Sequence, residues 1–208
     1  MTLIIFAGAI FAEDTKSDAK DSGLELKSES KWLTVHVKPG VDFSGYKTIK
    51  MEDVTVAFKD DWQRDYNKHY RGIDFRIDDK DMKELTDRAT EQFDEVFSEK
   101  IAEDGRYSLV DKAGKDSLII KPAIVDLDIN GPDKNTASST TVMVRQAGEA
   151  TLLLDIYDST GKKLLATIID EEDTRDYSRA FRTNRVRNKS EFMVVYRRWV
   201  ENLLDTIK

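Results

Sequence analysis

The sequence predicts an α+β domain: a two-layer sandwich whose mostly antiparallel sheet of five or six strands is covered by two helices. Three observations carry that reading. Short alternating or β-branched runs recur between turn residues, as strands do. Two stretches, one mid-chain and one at the end, repeat apolar residues with the 3.6-residue period of a helix. The resulting order is two strands, a helix, several strands and a helix, which lets both apolar stripes cover one sheet face.

Trp32 to Val37 alternates and is β-branched, a strand stopped by Pro39-Gly40. Lys47 to Met51 and Val54 to Phe58 read as a second strand, broken at Glu52-Asp53. Residues 59–72 show neither period and read as an irregular loop carrying Trp62, Tyr66, His69 and Tyr70. Asp79 then caps a helix to about Ala102, with Met82, Leu85, Ala89, Phe93, Val96, Phe97 and Ile101 on one stripe and Gly105 closing it. Tyr107 to Val110 is a short strand. Ser117 to Ile129 is a longer one, nearly continuously apolar around Pro122. After a turn at 131–135, strands Glu149 to Tyr157 and Leu164 to Ile169 flank the hairpin loop Asp158-Ser-Thr-Gly161. The last helix is expected from about Glu191, with Ser190 as N-cap and Phe192, Val195, Tyr196, Trp199, Leu203 and Ile207 as its buried stripe.

Residues 1–12 are an apolar run ending in small residues and followed by Glu13-Asp14, the pattern of a signal-like leader. Residues 13–30 are polar, too poor in large apolar side chains to bury a core, and read as a disordered linker. Residues 31–208 form the single domain. The expected location is therefore the periplasm or outer envelope. No cysteine is present, which excludes disulfides, thiolate metal sites, thiol nucleophiles and attachment of lipid to a cysteine. No other apolar stretch approaches the ~20 residues that span a bilayer. A net charge of −7 argues against nucleic acid as a partner.

Catalytic signatures are sparse. Only His36 and His69 could act as imidazole bases, and no Gly-x-Ser-x-Gly elbow, phosphate loop or dinucleotide fingerprint occurs. No cofactor, catalytic residue or metal ligand is assigned, and the chain is read as a non-enzyme. The alternative is a divalent-metal-dependent or small-ligand-binding enzyme using the strand aspartates Asp126, Asp128 and Asp155.

The segment after Asp170-Glu-Glu-Asp173 is unlike the rest. From Arg175 to Lys189 it holds six positive residues and one negative residue, interleaved with Tyr177 and Phe181, in a chain that is acidic elsewhere. Guanidinium pairs bidentately with carboxylate and phosphate, and arginine beside aromatics is typical of interfaces. The expected partner is an envelope protein or anionic envelope component, contacted through Arg179, Phe181, Arg182, Arg185 and Arg187. Trp62 and Tyr66 are a second candidate contact, with the alternative that they fold back on the core.

Two stretches carry a family resemblance: Val37-Lys-Pro-Gly-Val-Asp-Phe-Ser-Gly-Tyr46 and Asp116-Ser-Leu-Ile-Ile-Lys-Pro-Ala-Ile-Val-Asp-Leu-Asp128. With Ala147 to Gly161, they resemble DUF3313, an uncharacterised family of bacterial lipoprotein-like chains. The resemblance spans roughly residues 32 to 207 and rests on turns, strands and a hairpin. It implies a Gram-negative envelope protein and transfers no catalytic residue. The lack of a cysteine to lipidate departs from that pattern.

Overall fold

A computed structural model describes residues 22–69, 76–130, 143–144, 148–173, 181–182 and 185–208. The strands are β1 (Glu25–Glu29), β2 (Leu33–Val37), β3 (Thr48–Met51), β4 (Thr55–Phe58), β5 (Ser108–Leu109), β6 (Ser117–Ile129), β7 (Met143–Val144), β8 (Gly148–Tyr157), β9 (Leu164–Asp173) and β10 (Phe181–Arg182). The helices are α1 (Trp62–His69), α2 (Asp79–Asp104) and α3 (Arg185–Thr206). Eight strands form one sheet in the order β1-β2-β9-β8-β6-β3-β5, with β4 also paired to β6, while β10 and β7 form a separate ladder. The α+β class and the mostly antiparallel sheet are as the sequence predicts, with more strands than the five or six expected.

The sheet is mixed for a reason of connectivity. β3 and β4 lie end to end along β6 and run parallel to it, and β5 runs parallel to β3. A parallel pair needs a long crossover, and α2 supplies it between β4 and β5. The other main-sheet neighbours are antiparallel.

Both predicted apolar stripes point at the sheet. On α2, Leu85, Ala89, Phe93, Val96, Phe97 and Ile101 are buried, and on α3 so are Phe192, Val195, Tyr196, Trp199, Leu203 and Ile207. Phe93 stacks on Phe97 at 3.9 Å and meets the edge of Tyr196 at 5.9 Å, joining the two helices above the sheet. Helix α2 opens on a capping box in which Asp78 and Asp81 each accept the other's backbone N–H. It closes at Gly105, whose φ of 73° suits glycine.

Several boundaries differ from the sequence reading: Asp78 rather than Asp79 is the N-cap of α2, and β9 runs on past Ile169 to Asp173. Residues 25–29, expected within a disordered linker, form the edge strand β1. Its side chains are all exposed and it has no apolar alternation to detect. It is held by its backbone ladder to β2 and by Lys27, which donates to Thr206 O at the end of α3. Arg106 also donates to Leu204 O in the last turn of α3 and Tyr107 to Ile207 O just past it, satisfying acceptors at a helix end. Residues 62–69, expected as loop, form α1. Helix α3 starts at Arg185, so Ser190 lies inside it and is not the N-cap.

The long strand β6 changes phase midway. Leu118, Ile120 and Ile124 belong to the main core, whereas Val125 joins a small cluster with Leu153 and Ile169. Continued alternation would drive Asp126 and Asp128 into the main core. Instead the pairing with β8 slips between Val125 and Asp128, and Asp126 sits at φ 52°. The bulge re-phases the strand, so Leu127 and Ile129 enter the main core and Asp128 turns away from it. Just beyond, Gly148 pairs with Ile129, and a Cβ there would lie 2.0 Å from Asp128 O and 3.0 Å from the Phe192 ring. Gly148→Ala is therefore expected to cost at least about 2 kcal/mol of stability, read as a lower urea midpoint. An unchanged midpoint would show that the close approach is not a real constraint.

Candidate functional site

The bulged end of β6 gathers charge. Lys59, just past β4, pairs with Glu149 at 2.7 Å and with Asp128 at 3.9 Å. Trp62, in the first turn of α1, donates its indole N–H to Asp128 Oδ1 at 3.0 Å. Burial pushes the Asp128 carboxyl above its ordinary value, against the pull of Trp62 and Lys59. Burial also raises Asp126, opposed by Lys59 and reinforced by Asp60, Glu149 and Glu171. One lysine thus serves several acids, and its own hydrogen bond to Glu149 raises it.

Asp155, grouped with these aspartates from sequence, lies elsewhere. It faces Lys121 across the β6–β8 pair, five residues up β6 from Asp126, or roughly 16 Å. The three strand aspartates do not converge, and among the described residues no group of three His, Cys, Asp or Glu could hold a metal ion. The register instead lines up His36, Thr167, Asp155 and Lys121 across β2, β9, β8 and β6. Thr167 Oγ1 donates to Asp155 Oδ1 at 2.8 Å, and Lys121 Nζ stands 4.4 Å from the centre of the Tyr157 ring. His36 and Thr167 are 5% and 1% exposed, so a substrate has no access to them, and the row acts as a cross-strand polar ladder.

Trp62 and Tyr66, considered as contact anchors, are buried at 7% and 8% exposure. They lie four residues apart on α1 and therefore share a face. Phe58, Trp62 and Tyr66 follow one another at 4.8 and 5.5 Å between ring centres. Folding back on the core is thus what these aromatics do, which corrects their assignment to a partner surface. Asn67 locks the helix to the chain before α2 by donating to Ile77 O at 2.8 Å and accepting from Ile77 N at 2.7 Å.

Of the arginine segment, Arg179 lies outside the described residues. Phe181 and Arg182 form β10, paired with Val144 and Met143, and Arg185 and Arg187 fall in the opening turn of α3. Sequence reasoning missed a further polar cluster, on the core side of β9. Asp170 is 1% exposed there, and Asn202 Nδ2 of α3 donates to its Oδ2 at 2.6 Å. The next core-facing residue of β9, Glu172, pairs with Arg198 one turn earlier on α3. A visible signal was the break in the apolar alternation Ala166, Ile168, Asp170.

The Trp62–Asp128 bond joins α1 to the bulge. Trp62→Phe is expected to destabilise by about 1–2 kcal/mol at neutral pH and to raise the Asp128 pKa further. A carboxyl raised above its unfolded value contributes stability at low pH that is lost as pH rises through its folded pKa. The penalty should therefore shrink on acidification. Urea unfolding across pH checks this, and an equal penalty at every pH would refute it.

Three solved structures similar to this chain share little identity with it. A PelC dodecamer from Paraburkholderia phytofirmans and a single-substitution variant of it are each 8% identical, with TM-scores of 0.39 and 0.38. Each match covers 79% of this chain and 94% or 95% of the other. A PDZ domain protein from Parabacteroides distasonis is 11% identical with a TM-score of 0.38, covering 92% of this chain and 38% of that one. No curated protein matches the sequence. The family model described as "Protein of unknown function (DUF3313)" matches residues 15–203, nearly the whole chain, and the protein belongs to that family.

Proposed function

We propose that this protein is an exported, envelope-associated domain that binds an anionic or protein partner through residues 179–187 and carries out no catalysis of its own. One observation carries the reading. Helix α3 begins Arg185-Val-Arg187-Asn-Lys189, with no acidic residue in its first turn. A helix N-terminus already presents unpaired N–H groups and a partial positive charge, so cations placed there are unfavourable unless an anion answers them. Lys189 is answered within the chain by Glu95 at 2.9 Å.

Two features support this reading. Pairing with β7 fixes the backbone of Phe181-Arg182 ahead of the helix, which lowers the ordering cost of contact. The apolar leader of residues 1–12 and the polar stretch behind it support export. No helix among the described residues is long and apolar enough to cross a membrane.

The test is cross-linking in cells of the full chain and of an Arg182→Glu/Arg185→Glu/Arg187→Glu variant, with captured partners identified by mass spectrometry. A specific envelope partner captured by the native chain and lost from the folded variant is the expected result. Cytoplasmic partners would overturn the location, and equal capture by both chains would overturn the site.

A further inference from the structure

The cluster between β9 and α3 is built from groups that the proposed partner contact does not use. Asp170 reaches from the sheet into the helix layer, where Asn202 is its one well-formed side-chain donor among the described residues. Its other oxygen and the Trp199 indole nitrogen are both buried without a well-formed hydrogen bond. The strand neighbours of Asp170 are Leu33 on β2 and Leu152 on β8, neither of which titrates. The charged groups facing it among the described residues are Glu172 on its own strand and Arg198 on α3, already paired to each other. One guanidinium, bonded to Glu172, is thus also the cation nearest Asp170 where α3 meets β9 through polar groups.

We propose that Asp170, Asn202 and the Glu172–Arg198 pair form a pH-sensitive latch that holds α3 on the sheet in mildly acidic surroundings and slackens as the pH rises. A protonated Asp170 is a neutral group with an amide donor and suits a dry site. An ionised Asp170 is a buried anion whose nearest cation is already engaged, which is costly.

The electrostatics agree with this geometry. Burial pushes the Asp170 carboxyl up to about 6, with Glu172 adding to the rise and Asn202, Arg198 and Trp199 opposing it. When α3 lifts away, the carboxyl returns toward its ordinary value of 3.8. Because the docked value is the higher one, the stabilisation is complete below the undocked value and disappears as pH climbs through the docked one. The latch also sits at the root of the arginine segment, because β9 ends at Asp173 and α3 begins at Arg185. It stands on the cluster's geometry and does not depend on what that segment binds.

Hydrogen exchange of the full chain tests the latch. After correction for the intrinsic pH dependence of exchange, the α3 amides should open about tenfold more often near pH 7.5 than near pH 5, given a docked value of about 6. The neutral variant Asp170→Asn should lose that difference. Equal opening at both pH values, or a difference that persists in Asp170→Asn, would overturn the proposal. If the variant does not fold, carbon-13 NMR titration of the native aspartate carboxyls decides. A midpoint near 6 for Asp170 supports the latch, and one near its ordinary value refutes it.

Discussion

The middle of β6 carries a constraint on which the layers on both sides depend. This strand pairs with β8 along one edge and with β3 and β4 along the other, and it supplies side chains to both faces of the sheet. Its main-core residues fall at even positions to Ile124 and at odd positions from Leu127. A regular strand cannot bury both sets on one face, because its side chains alternate strictly. The extra residue at the bulge resolves the conflict, with Asp126 taking the left-handed backbone that short polar residues tolerate better than most. Asp128 then becomes available to Trp62 and Lys59, and α1 docks there.

The helix layer meets the sheet in two different ways. Most of the contact is apolar, with Trp199, Val200 and Leu203 fully buried, and burial of this kind follows the area removed from water. Two parts of the α3 seat are polar, both in its C-terminal half. At its C-terminus, Lys27, Arg106 and Tyr107 donate to carbonyls that an isolated helix would leave to solvent. Over β9, a buried carboxylate takes the place of an apolar side chain. Donors at a helix end complete hydrogen bonds that would otherwise be missing, whereas a buried acid adds a charge whose cost varies with pH.

Much of the architecture was legible in the sequence. The α2 stripe from Leu85 to Ile101 and the α3 stripe from Phe192 to Ile207 are long and periodic, and each lies as expected. The limits of β6 and the break between β3 and β4 also matched. Elements that rest on backbone pairing or long-range packing were not legible. Glu25–Glu29 looks like linker because an edge strand needs no buried side chain. Residues 62–69 look like loop because α1 has only two turns, and just Trp62 and Tyr66 mark its buried face. The first turn of α3 was concealed by arginines in place of the acidic residues that favour a helix start.

The candidate sites divide along the same line. Residue type and local period set the helix stripes, the want of thiol chemistry and the cationic stretch before the last helix, because these properties depend on the chain's own composition and near neighbours. Which aspartates meet could not be read locally. Asp126 and Asp155 look like partners in sequence, yet strand register holds them apart, while it brings His36 into line with Asp155 and sets Asp170 under Asn202. Register and layer packing join residues many positions apart, and only the tertiary structure decides them, because the pairing energy lies in contacts that no local stretch of the chain contains.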